Sequence, residues 1–152
     1  MKKKKLTLFA VIAAAGLAII AAVWMLIPHP PSGMSPEETV RYYYSQWGRH
    51  SNAGMNAVVY APVRYPEGFS GMISLELLTC EEVHDMAVVQ EGFESEWYND
   101  TPYQVALVHT TFDVQYRDDA MTGLSNGVNY CDYYLVKKSA GSNWIIVSWG
   151  QG

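Results

Sequence analysis

The sequence predicts an α+β domain, its N-terminal helices packed on one face of a curved antiparallel sheet, behind a single transmembrane helix. Three observations carry that reading. Leu6 to Ile27 is a stretch without a charge. Val40, Tyr43, Tyr44 and Trp47 then recur at i, i+3, i+4 and i+7, the spacing of one helix face. Strand-like segments follow only from Ile73 onward, and helices first with strands afterwards is the α+β order.

The ends divide the chain. Residues 1–5 are a basic tail, Lys2 to Lys5, and residues 6–27 are the predicted anchor. At 1.5 Å per residue, 22 helical residues reach about 33 Å, enough for a hydrocarbon core of about 30 Å. The run ends Val23-Trp24-Met25-Leu26-Ile27-Pro28, without small residues at the spacing a signal-peptide cleavage site needs, so an uncleaved signal-anchor is expected, with a cleaved signal as the alternative. The lysines keep the N-terminus cytoplasmic, and the rest emerges outside the cell membrane. Pro28, Pro30 and Pro31, with Ser32-Gly33, form a stalk over 28–33. Residues 34–152 form the extracytoplasmic domain.

That domain holds six basic residues against fifteen acidic ones, a net charge of −9. Such a surface repels phosphate backbones, so nucleic acid is not an expected partner. Apolar residues make up 49% of the chain, enough for one core and too many for a disordered polyampholyte.

Within the domain, Ser35-Pro36-Glu37-Glu38 opens a helix as a capping box with proline at the first turn, and Gly48 is its expected stop. A second helix is expected from Asn52 to Tyr60, then a loop from Ala61 to Met72. Ile73–Val83 reads as a strand with imperfect alternation. Ala87–Asp100 reads as a loop or short helix. Tyr103–Arg117 alternates cleanly: Ala106, Val108, Thr110, Phe112, Val114 and Tyr116 share the predicted core face. Val128–Lys138 and Trp144–Trp149 form a hairpin about the turn Ala140-Gly141-Ser142-Asn143.

The candidate chemistry is sparse. Tyr130, Asp132 and Tyr134 share one face of a strand, and His109 and Asp113 share one face of its neighbour. A desolvated Asp132 is a candidate general base, with Tyr130 as a hydrogen-bond donor. The opposing reading makes both surface residues. Glu81, Glu82, His84 and Asp85 form a ligand-rich run, but strand alternation lets only Glu82 and His84 converge, so no metal site is expected. Asp118, Asp119 and Asn126 lack a calcium-loop pattern. No cofactor motif occurs. Cys80 and Cys131 are a possible disulfide in an oxidising exterior, and equally two buried free thiols. All eleven tyrosines and four of the five tryptophans lie in the domain, where they either line a cavity or fill one.

The opening Ser35-Pro36-Glu37-Glu38-Thr39-Val40, its aromatic helix, and the ending Trp144-Ile145-Ile146-Val147-Ser148-Trp149-Gly150-Gln151-Gly152 resemble the nuclear-transport-factor-2-like superfamily. More narrowly, they are similar to a domain-of-unknown-function family of membrane-anchored bacterial proteins. The resemblance implies a cystatin-like, cone-shaped fold over residues 34–152. The superfamily includes ketosteroid isomerase, scytalone dehydratase, SnoaL-like polyketide cyclases and many non-catalytic binding domains. It implies three functions: a binding module for an envelope protein or small molecule, a small lyase or isomerase using a carboxylate and Tyr within the cone, or a dimerisation module pairing through its sheet as a homodimer. The absence of a catalytic constellation favours the first.

Overall fold

The computed structural model describes residues 28–64, 69, 71–117 and 124–150. The predicted anchor, residues 6–27, lies outside them, as do Asp118 and Asp119. No helix among the described residues is long and apolar enough to cross a membrane.

The first helix, α1 (Pro36–Gly48), begins as its sequence dictates. Ser35 Oγ accepts from the Glu38 amide at 3.1 Å, and Glu38 Oε2 accepts from the Ser35 amide at 2.7 Å. Both bonds satisfy donors that a helix start leaves without partners. Gly48 is the last helical residue rather than the break after it. The left-handed position falls two residues later on His50, φ 56°, whose amide donates to the Trp47 carbonyl and whose ring stacks on Phe69. The second helix, α2 (Asn52–Asn56), is shorter than expected. The chain leaves it because Val58–Tyr60 pairs with the edge of the last strand: Ile146 N donates to Val58 O, and Tyr60 N to Ile146 O, both at 2.8 Å. Long-range pairing thus overrides local helix propensity.

Four strands form one antiparallel sheet in chain order: β1 (Met72–Glu82), β2 (Gln104–Tyr116), β3 (Gly127–Lys137) and β4 (Trp144–Gly150). Irregularities at Ile73 and Leu78 explain the imperfect alternation of β1, since a bulge inserts an extra residue into the two-residue period.

The inner face of the sheet packs on α1 and α2. Val108, Phe112, Val114, Tyr133, Leu135 and Ile146 meet Val40, Tyr43, Tyr44, Trp47 and Met55 there. The face predicted for β2 is the one buried. A second cluster occupies the opposite face, where Tyr98 covers Val136 and Val147, and Phe93 and Trp97 pack beside Tyr134. These residues come from the third helix, α3 (Met86–Gly92), and the turn that follows it. The helices therefore lie on both faces, correcting the expectation of one. The reason lies in β2 itself: Leu107, on its nominally solvent-facing side, is apolar and demands cover, and Val89 of α3 is completely buried.

Candidate functional site

A cavity is the first place to look for a ligand, and on the inner face the aromatic residues were expected either to line one or to fill it. At the centre of that face the rings pack against one another. Tyr44 packs against Tyr43, Trp47, Phe112 and Tyr133 with centroid separations of 5.3–6.1 Å. These are ordinary distances for aromatic contacts.

The hydroxyls inside this packing form a directed chain. Thr110 Oγ1 donates to the Cys131 carbonyl at 2.8 Å, so its oxygen is left to accept from Tyr44 Oη at 3.0 Å. Tyr133 Oη in turn donates to Tyr44 Oη at 3.2 Å. Burial raises the Tyr44 and Tyr133 phenols far above the usual tyrosine range, so both stay neutral. The chain satisfies buried polar groups; the contacts around it leave the rings in touch with each other. In the sequence Tyr44 lies on the predicted apolar helix face and Thr110 on the predicted core face of its strand, while nothing there singled out Tyr133. Its partners Tyr44 and Thr110 come from elements that the fold brings together.

The residues singled out by sequence lie on the other face. Register places His109 opposite Asp132, with Glu81 of β1 on the far side of His109. His109 Nδ1 and Asp132 Oδ1 are 2.5 Å apart. The side chains are 53% and 32% exposed. The next row holds Thr79, Thr111 and Tyr130, and the one after it Glu76, Asp113 and Val128. Asp113 accepts from Gln115 Nε2 at 2.6 Å. Tyr130 is 64% exposed and Val128 54%.

Asp132 and Tyr130 do share a side, as alternation required, but that side is the outer surface. The Nδ1 contact orients the imidazole and leaves Nε2 available. An exposed pair of this kind contributes little to stability, about 0.2–1 kcal/mol. Acid–base catalysis needs a substrate held against the pair and out of water. Among the described residues the sheet surface around the pair is open to solvent. Tyr134, on the same face, is taken up in packing against Phe93 and Trp97.

The acidic run that ends β1 and continues to Asp85 is dispersed by the fold. Glu81 joins the row of His109, the Glu82 amide donates to Glu37 Oε1 at 3.0 Å, and Asp85 caps α3 by accepting from Ala87 N at 2.9 Å. Burial raises the Glu82 carboxyl, with His84 opposing the shift. Among the described residues no group of three His, Cys, Asp or Glu side chains converges on a point.

The two cysteines are free and buried, so the possible Cys80–Cys131 bridge is not formed. They sit on β1 and β3 at either side of Thr110 of β2. Two strand spacings separate them by about 9–10 Å, beyond the roughly 7 Å limit for a disulfide. Burial pushes both thiols up to about 11, which makes them poor nucleophiles at neutral pH.

No curated protein and no solved structure matches the chain. A family match covers residues 37–150, from the first turn of α1 to the end of β4, so it spans both aromatic clusters and the whole sheet. The chain belongs to the DUF4829 family, a domain of unknown function.

Proposed function

We propose that this protein is a membrane-anchored extracytoplasmic domain of the nuclear-transport-factor-2-like type, acting as a non-catalytic module that binds a protein partner from its outer surface. The ring packing at the centre of the inner face carries the proposal: Tyr43, Tyr44, Trp47, Phe112 and Tyr133 are in contact with one another there rather than arranged around an open site. The uncharged run from Leu6 to Ile27 and the lysines before it support the anchor and the orientation. The helices laid on an antiparallel sheet support the fold type. On the outside, Tyr130 and Val128 are large exposed side chains beside a polar row, a composition suited to protein contacts.

The test is photo-crosslinking of the full chain in its native membrane. A photoreactive residue replaces Tyr130 in one version and Gly141, in the β3–β4 turn, in another. A discrete adduct from position 130 with none from position 141 is expected. Equal labelling at both positions, or no adduct at 130, would overturn the proposal.

A further inference from the structure

The strand order leaves β1 with a neighbour on one side only, β2, among the described residues. An edge strand presents a row of backbone donors and acceptors, and proteins commonly cover or blunt such edges. This chain covers one end. Arg41 Nη2 donates to the Cys80 carbonyl at 2.9 Å, and Glu37 Oε1 accepts from the Glu82 amide at 3.0 Å. Both caps come from α1 and both act beyond Thr79. At the other end the Met72 amide donates to the Phe69 carbonyl at 3.1 Å, and from Ile73 to Thr79 no comparable cap is seen among the described residues, with Ile73 and Leu78 exposed there.

Beside this bare stretch lies a groove of about 260 Å³ between α1 and β1, lined by Arg41, Tyr44, Ser45, Gly48, Leu75 and Leu77. Its volume is below the roughly 300–1,000 Å³ of small-molecule sites. It lies on the inner side of β1, since Leu75 and Leu77 pair with the core-facing Val114 and Phe112. On the opposite side of the same strand stands Glu76. A strand added to this edge would thus place alternate side chains toward the groove, where Leu75 and Leu77 supply its apolar wall and Arg41 is held by the Cys80 carbonyl, and toward a carboxylate.

We infer that the edge of β1 between Ile73 and Thr79 takes up an extended basic segment of a partner protein as a fifth strand, its apolar side chains seated in the α1–β1 groove. Charge selects this occupant. Lysine or arginine opposite Glu76 makes a favourable cross-strand pair, and the domain charge of −9 attracts a basic segment. A second copy of the chain brings the same negative charge and its own Glu76. The inference rests on the reading of the domain as a protein-binding module, and it concerns a different surface from Tyr130.

The probe is a seven-residue peptide of alternating lysine and valine, acetylated and amidated, with the glutamate–valine counterpart as control. Binding is measured on the full chain in detergent micelles. The lysine peptide is expected to bind at least about tenfold more tightly than the glutamate peptide and to slow amide exchange within Leu75–Leu78. A Cβ on Gly48 would meet no atom within 4 Å, so this groove-lining position has room for a side chain, and Gly48→Leu should narrow the groove while preserving the fold. It should weaken binding by about tenfold or more. Glu76→Lys should reverse the preference between the peptides, whereas Glu91→Lys on α3, the same change in net charge, should not. No saturable binding, binding untouched by Gly48→Leu, or equal effects of the two charge changes would overturn the inference. Protection confined to Val128–Asp132 would also overturn it while leaving the outer-surface module intact.

Discussion

The hydroxyls of Tyr44 on α1 and Tyr133 on β3 meet at 3.2 Å in the centre of the core, though 89 residues separate them in the chain. The bond runs one way. Tyr44 gives its own proton toward Thr110, whose hydroxyl is committed to the Cys131 carbonyl, so Tyr133 is the donor. An α-helix and a strand are thereby locked together through polar groups with little tolerance for the removal of one.

That direction makes the two Tyr→Phe variants unequal. Tyr133→Phe removes a donor and leaves Tyr44 still bonded to Thr110, so a loss of about 1 kcal/mol is expected. Tyr44→Phe deprives the buried Tyr133 hydroxyl of its acceptor and should cost more, about 1–3 kcal/mol. The double variant should lose less than the sum of the two, because they share one bond. Urea unfolding of the three variants measures all of this. A larger loss in Tyr133→Phe would mean that the chain runs in the opposite direction.

Gly92, at the end of α3, stands against Tyr134: a Cβ there would lie 1.9 Å from the phenol oxygen. The ring cannot swing aside freely, being held between Phe93 and Trp97. Gly92→Ala should therefore destabilise the domain by about 1–3 kcal/mol, although alanine is ordinarily the better helix residue. Adding Tyr134→Phe removes the clashing oxygen and should restore most of the loss. Thermal unfolding of the single and double variants reads the rescue.

Both cysteines should be unreactive toward iodoacetamide at pH 8 in the folded chain and fully reactive after denaturation. Non-reducing intact-mass measurement should find two free thiols. The raised thiols also set a pH dependence. The folded state holds these protons up to about pH 11, while the unfolded state releases them from about pH 9. Their contribution is complete below pH 9 and is lost as pH rises toward 11. Raised Tyr44 and Tyr133 act in the same direction at higher pH. Denaturant midpoints should thus fall above about pH 9, and a flat profile there would contradict the burial of these groups.

The capping box predicts a local effect. Ser35→Ala removes the acceptor of the Glu38 amide and should cost about 0.5–2 kcal/mol, with Ser35→Asp close to neutral. Equilibrium unfolding compares the two.

Local patterns in the sequence determined much of this molecule. Ser35 and Glu38 mark the start of α1 because their side chains answer the helix's own unsatisfied amides a turn away. The apolar alternation of Ala106 to Tyr116 assigns the core face of β2 because successive side chains of a strand point to opposite sides. The same alternation places Tyr130 and Asp132 together. Other features depended on partners far away in the chain. α2 ends early because Val58 and Tyr60 bond to Ile146. α3 lies on the second face because Leu107 and Val136 need cover. Asp132 meets His109 only through the β2–β3 register. The fate of the cysteines was settled in the same way, by the strand of Thr110 that lies between them. Whether eleven tyrosines line a cavity or fill one is a question of volume, and volume exists only once α1 has been laid on the sheet. Spacing along a chain encodes direction and period; which surfaces meet, and how much room remains between them, is decided when the elements pack.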